Sequence, residues 1–314
     1  MVKKKYGATL TNWGILLLLM LVWGSSFILM KRGLEHYSAG QLALLRIAFA
    51  CIFLFPFAVR SAKKINRKKL LYIAITGIVG NGIPAFLFAK AQTGIDSSLA
   101  GILNSLTPLF TLVIGILFFS YQAKWLNIAG VFIGLAGTIG LMSISGHKTL
   151  EFNFSYGIYI IIATILYGIN LNIVRKYLAD TDATTITAFA FLIIGIPVIC
   201  ILFFATNFIT LLTKNPGALT GLGYIAILGV VGSGIAVILH NILIKKGGVL
   251  FAASITYLIP LVAVFWGVAD GEAFEPFYVF WIALILAGVF IANYSNGRNN
   301  NRKKKKGTLT TNSI

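Results

Sequence analysis

Residues 72–83 read YIAITGIVGNGI, and residues 224–235, 152 positions further on, read YIAILGVVGSGI, identical at nine of twelve places. A match of that length at a fixed offset marks an internal duplication. The offset persists downstream, setting Ala100 on Ala252 and Leu106-Thr107-Pro108-Leu109 on Leu258-Ile259-Pro260-Leu261. Nearer the start of each copy, Trp23-Gly24 is answered by Tyr167-Gly168. The chain is two copies of one pattern, and its fold turns on what a single copy does.

Each copy is almost wholly apolar. The 314 residues are 58% hydrophobic and 11% charged, with a mean hydropathy of +0.90, a composition whose solvent is the bilayer. A crossing takes roughly 20 apolar residues. Ten segments supply them, at about 13–31, 39–59, 70–90, 97–118, 125–143, 154–174, 184–204, 219–244, 250–269 and 277–296. Residues 1–12 read as a basic cytoplasmic tail, 13–144 as the first five-helix repeat, 154–296 as the second, and 297–314 as a disordered basic tail. Five crossings per copy is an odd number, so the second copy must enter the membrane upside down. The expected fold is all-α and integral to the membrane, with ten helices in two inverted-topology repeats. The first apolar run follows basic residues as a signal peptide would, but no small-residue cleavage site ends it, and it reads as a retained helix.

The net charge of +18 would point to nucleic acid in a soluble protein. Here the basic residues sit in tails and short connections, where they report topology instead. Of the 26 Lys and Arg, 20 fall on one side of the alternating spans, including six between Arg60 and Lys69 and six between Arg298 and Lys306. The other side has only Lys31, Arg32, Lys90, Lys148 and Lys214, together with Glu35, Asp96, Glu151, Asp270, Glu272 and Glu275. Both termini are expected in the cytoplasm and the protein in a bacterial inner (plasma) membrane. Cys51 and Cys200 lie in apolar runs and are expected to be buried and inert, with no disulfide or metal spacing between them.

Trp23-Gly24-Ser25-Ser26-Phe27, Leu45-Arg46, Leu106-Thr107-Pro108-Leu109 and Ala129-Gly130 to Gly137 occur in that order in the first copy. Together they resemble the EamA-type branch of the drug/metabolite transporter superfamily, with two EamA domains covering nearly all of residues 13–296. The family often carries Gly-Glu after helix 4 or 9; Gly271-Glu272 fits in the second copy, whereas the first has Ser120-Tyr121. The resemblance implies a bundle around a central cavity and the export of metabolites, amino acids or toxic compounds. Inverted repeats also suit that role mechanically, because two halves that exchange conformations swap the side to which a shared cavity opens.

Polar groups at membrane depth face either a cavity or another helix. On that ground the substrate-cavity candidates are Trp23, Ser26, Arg46, Asn81, Asn104, Ser105, Tyr167, Asn170, Ser233, His240, Asn241 and Tyr257, with Asn172 and Trp266 as further polar and aromatic possibilities. For most of them the competing role is inter-helix glue. Arg46 lies roughly 10 Å inside the second span at 1.5 Å per residue, and its competing role is to snorkel outward or pair with Glu35. Pro108 and Pro260 are candidates for helix breaks and gating. Gly130, Gly134 and Gly137 form one helical stripe, expected to pack closely on a neighbour.

No Asp or Glu occupies the middle of any predicted span, so a membrane carboxylate that exchanges proton for substrate is missing. That points to facilitated diffusion or weakly coupled export. A membrane enzyme would need clustered acid, base or metal ligands, and a nucleotide-driven pump a phosphate-binding loop; neither pattern occurs, and no cofactor or metal is expected. The expected partners are a small-molecule substrate and the lipid bilayer, with no nucleic acid, in a monomer or homodimer. The rival readings are a sugar-phosphate or nucleotide-sugar-like translocator, which would need several buried cations, and a non-transporting sensor or scaffold.

Overall fold

The computed structural model describes residues 2–62, 65, 67–145, 154–271, 276–277, 279–281, 283–285, 287–288 and 291. Among these the chain is helical throughout, without strands. Eight helices are long and apolar enough to cross a membrane. They lie in α1 (Val2–Leu34), α2 (Ala39–Ser61), α3 (Arg67–Ala91), α4 (Ser97–Phe119), α6 (Phe154–Tyr177), α7 (Ala183–Phe204), α8 (Ala218–Gly247) and α9 (Val249–Ala269). Between α4 and α6 runs α5 (Trp125–Ser145), apolar over Trp125–Gly137. The tenth predicted span is described only in part; its described residues from 279 to 291 are helical. Glu151, Glu272, Glu275, Lys148 and the tail from residue 292 lie outside the described residues.

In hydrocarbon a backbone must satisfy its own polar groups, which is why the spans are helices. Large apolar side chains such as Phe55, Phe118, Phe204 and Phe265 are exposed on the outside of the bundle, where lipid solvates them. Cys51 is buried, as expected, but Cys200 is exposed on α7, because its helix turns that face away from its neighbours. The connection between the seventh and eighth spans is not a plain loop; it contains a short helix, Phe208–Lys214.

The duplication reappears in three dimensions. Ser38 caps α2, its side chain accepting from the Gln41 amide, and Asp182, 144 residues on, caps α7 by accepting from the Thr185 amide. α1 packs along α9 while α6 packs along α4; α3 packs on α6 and α7, and α8 on α1 and α2. Each pairing in one half thus has its counterpart in the other, and α2 with α7 and α4 with α9 pair across the centre. The close approaches match residue for residue. A Cβ on Gly24 of α1 would strike Val262 of α9, and one on Gly168 of α6 would lie 3.0 Å from the Phe110 and Thr111 backbone of α4. Gly77 of α3 similarly faces the Ala190 carbonyl of α7, and Gly229 of α8 the Arg46 carbonyl of α2, at 2.7 and 2.8 Å from the added Cβ.

The quoted repeat has its own structural signature. In α3 the residues Ile78–Gly82 form a π-helical turn, and in α8 Leu228–Ile235 do the same. A π turn inserts an extra residue and loosens the carbonyl ladder. The side chain of Asn81 donates to the Thr76 carbonyl at 3.3 Å, and that of Ser233 to the Leu228 carbonyl at 3.4 Å, equivalent positions in the two copies. α4 is interrupted by a 3-10 turn at Asn104–Leu106, and α9, two positions earlier in the repeat, by a break at Ser254.

Ion pairs join connections on the same side of the alternating spans. Lys31 and Arg32 at the end of α1 pair with Asp270 just beyond α9, and Lys69 at the start of α3 pairs with Asp180 beyond α6. The glycine stripe of α5 packs as expected on neighbours: Gly134 lies against the Tyr257 ring, and Gly137 against Ile285.

Candidate functional site

α1, α2, α3, α4, α6, α7, α8 and α9 together enclose one central cavity with an empty volume of about 1040 Å³, its mouth included. The structure brings ten of the twelve candidates to its wall: Trp23, Ser26, Arg46, Asn81, Asn104, Tyr167, Asn170, Ser233, His240 and Asn241. The wall is built in pairs related by the repeat. Trp23 answers Tyr167, Ser26 Asn170, Ile47 Phe191, Gly80 Gly232, Asn81 Ser233, and Asn104 Thr256, all of them lining residues.

The pairing extends to contacts. Tyr167 stacks on Phe88 with centroids 6.0 Å apart, and Trp23 meets His240 edge-on at 4.9 Å, Phe88 and His240 being equivalent positions of α3 and α8. Trp23 also donates from its indole nitrogen to the Gly232 carbonyl at 2.9 Å, which fixes the ring against the π turn. A Cβ on Gly80 would overlap the Asn170 amide, and one on Gly232 would sit 3.2 Å from the Ser26 hydroxyl. The glycines of the repeat therefore leave room for polar side chains of α1 and α6 at the cavity wall.

Arg46 neither reaches Glu35 nor snorkels outward. Glu35 is taken by Arg32 at 2.8 Å, while the Arg46 Nε donates to Ser233 Oγ at 2.8 Å across the α2–α8 crossing. Asn241 lines the cavity but also donates to Thr187 Oγ1 at 3.0 Å, tying α8 to α7.

Two candidates do not reach the cavity. Ser105 is fully buried and donates to the Thr256 carbonyl at 2.8 Å, which locks α4 to α9. Tyr257 is 1% exposed, points the other way, lies on Gly134 and donates to the Val131 carbonyl at 3.3 Å. Its helix turns the following face, Thr256 and Ile259, inward instead. Tyr257→Phe is expected to cost about 1 kcal/mol, the net worth of one hydrogen bond, and to lower the melting temperature by about 2 °C. A shift in ligand affinity in the same variant would contradict its placement as an α5–α9 strut.

Asn172 also proves to be glue, donating from α6 to the Thr111 carbonyl of α4 at 3.0 Å. Trp266 donates to Ser25 Oγ at 2.8 Å beside Asp270, in a separate recess away from the cavity. Pro108 stands at the start of Thr107–Phe119, just after the 3-10 turn, and Pro260 inside the helical segment Ile255–Ala269; neither lines the cavity. Among lining residues not expected from the sequence are Thr76, Thr107, Thr256, Phe88 and Phe191. Carrying each candidate across by the repeat offset would have found Thr256 from Asn104 and Phe88 from His240. Among the described residues no group of His, Cys, Asp or Glu has metal-binding geometry.

The comparisons with known proteins agree with this architecture. The chain is 28% identical to the "uncharacterized inner membrane transporter YedA" of Escherichia coli (strain K12) over 292 residues, 89% of each chain. It is 28% identical to an "uncharacterized transporter" of Archaeoglobus fulgidus, over 88% of this chain and 95% of that one. A shorter stretch of 132 residues is 32% identical to a "probable amino-acid metabolite efflux pump" of Salmonella typhimurium, covering 41% of this chain and 42% of the relative. A solved crystal structure shares the fold with a TM-score of 0.69 at 17% identity, over 92% of this chain and 98% of that one. The sequence profile of the EamA-like transporter family matches twice, at residues 12–143 and 155–294. Two copies of that profile, folded as matching halves around one cavity, make this chain a member of the EamA-like transporter family.

Proposed function

We propose that the protein is a multi-pass inner-membrane exporter or facilitator of small metabolites, amino acids or related compounds, working by alternating access. The observation that carries this reading is the cavity wall assembled in equivalent pairs from both repeats. A cavity so built has two nearly equivalent ways to close, one at each end, and exchange between them moves a solute across. In this reading ten spans form two inverted five-helix repeats, over 13–144 and 154–296, with both termini cytoplasmic. The names of the Salmonella relative and of a "probable terminal-alkyne amino-acid exporter" from Streptantibioticus cattleyicolor, 25% identical over 136 residues, favour amino acids or kindred solutes. A sugar-phosphate translocator fits less well, since among the described residues Arg46 is the one Lys or Arg on the wall.

The α1–α9 and α6–α4 helix ends are clasped by different chemistry. At the end of α1, Lys31 and Arg32 hold Asp270 beyond α9. At the equivalent end of α6, Arg175 lies 4.6 Å from the Tyr121 ring and Lys176 5.4 Å from the Phe119 ring, both at the end of α4. We read these as the two gates, one ionic and one cation–π.

Counterflow in proteoliposomes, with amino acids, nucleosides, sugar phosphates and cationic aromatics offered in turn, tests the function. Saturable exchange of at least one class is expected, and it should persist without any ion gradient, because among the described residues no acidic side chain lines the cavity. Exchange that strictly requires a proton gradient would refute the uncoupled mechanism. Absence of saturable exchange for every class would favour the sensor or scaffold reading.

A further inference from the structure

We propose that the cavity receives its solute by a carboxylate head seated on Arg46, and that Ser233 is the residue that positions Arg46 for it. The inference deepens the transporter reading and rests on it. Among the described residues Arg46 is the one formally charged side chain on the cavity wall, and no carboxylate pairs with it. A cation at membrane depth is costly unless something supplies a counter-charge. Here the protein does not, and the open face of the residue is the cavity.

The guanidinium has five N–H donors in a rigid fork. Its hydrogen bond to Ser233 uses Nε, and Ser233 in turn donates to the carbonyl of Leu228, the first residue of the π turn of α8. The hydroxyl thus holds the planar group by its stem side, which leaves the terminal nitrogens for the bidentate geometry that a carboxylate fits. Two further polar atoms on the same wall are buried and unpartnered, Thr76 Oγ1 and Asn170 Oδ1. Buried polar atoms without partners are rare in folded proteins, and here a solute's hydroxyl or amino hydrogens would satisfy them. The class that meets all three demands is an organic carboxylate with at least one hydrogen-bond donor and an apolar remainder, which Phe27, Phe88 and Phe191 would enclose.

The repeat sharpens the point. The equivalent of Arg46 in the second copy is Ala190, which is buried and does not line the cavity, while the equivalent of Ser233 is Asn81. A wall that is mostly paired carries, among the described residues, its charge on one side alone, so it offers one seat for an anion. A dianionic phosphate would bring more negative charge than one guanidinium neutralises in a low-dielectric site, and a cation would face Arg46 with no acid to receive it.

The test uses the full chain in proteoliposomes, with the amino acids, their 2-hydroxy acid analogues and their carboxamides as competitors of counterflow, and thermal shift as a second readout. Carboxylates are expected to compete and carboxamides to fail by at least about 10-fold in affinity, consistent with loss of a charge-assisted bidentate pair. Arg46→Gln should erase that preference, Arg46→Lys should restore part of it, and Ser233→Ala should lower the carboxylate-to-carboxamide ratio by weakening carboxylates more than carboxamides. If Arg46→Gln does not yield folded protein, Arg46→Lys and Ser233→Ala decide the matter by the same selectivity ratio. Equal competition by acids and amides in the native protein, or a ratio untouched by these variants, overturns the carboxylate seat while leaving transport intact. No exchange and no thermal shift with any solute would instead bring down the transporter reading itself.

Discussion

Transport is expected to fall to background when the ends of α1 and α9 are tied together, and to return when the tie is cut. The experiment places Arg32→Cys and Asp270→Cys in a Cys200→Ser background, Cys51 being buried, and bridges them with a short bifunctional methanethiosulfonate that dithiothreitol releases. A second pair, Tyr121→Cys with Arg175→Cys, does the same at the equivalent ends of α4 and α6. Alternating access requires each end to open in turn, so either tie alone must stop net exchange even though the cavity itself is untouched. Full exchange with the cross-link verified by mass spectrometry would exclude these helix ends as gates. The native clasps should also differ in their response to solvent. Asp270 accepts a hydrogen bond from Lys31, and this together with the charges of Lys31 and Arg32 holds its carboxyl below its ordinary value of 3.8. A depressed carboxylate contributes its stabilisation above its unfolded-state pKa and loses it as pH falls through the folded one. The ionic clasp should therefore persist at neutral pH and fail only in acid below about 3.8, whereas the aromatic clasp carries no carboxylate. Salt should weaken the ionic clasp, whose lysine and arginine are partly exposed, within the screening distance of exposed charges.

The duplication was legible because both copies kept the glycines that crossings demand, and among the described residues nine helices fall where apolar runs of the right length predict them. The cavity was legible in outline, since a polar side chain in hydrocarbon must face either a cavity or a neighbour. Which of the two it faces is decided by rotation of the helix, and sequence alone does not fix that. Ser105 and Asn104 are adjacent, yet one locks onto α9 and the other lines the cavity. Tyr257 and Thr256 divide in the same way. The partner of Arg46 was hidden for another reason: Ser233 lies 187 positions away, and nothing in either segment by itself announces the crossing. The π turns were also unreadable as such, though the glycine runs marked where they occur.

Those glycines give the second large effect. Gly77→Val and Gly229→Val are each expected to abolish monodisperse, folded protein, as read by size-exclusion chromatography in detergent. At both sites the first carbon of any side chain would come within 2.8 Å of a carbonyl oxygen on the crossing helix. Backbone cannot swing aside as a side chain can, so the helices must separate along their length. Even alanine should cost about 1–3 kcal/mol, the usual penalty for overpacking a close-packed contact, and valine more because its branch extends toward the same oxygen. Gly223→Ala serves as the control, for a Cβ there meets nothing within 4 Å and the melting temperature should hold. Gly80→Ala separates packing from function, because its added carbon meets the Asn170 side-chain amide rather than backbone. That amide can move, so the fold should survive while the solute site is reshaped. If valine at 77 or 229 were tolerated like alanine at 223, the crossings α3–α7 and α8–α2 would not be the tight pivots that the repeat builds, and the two halves could not be counted on to rock about them as rigid bodies.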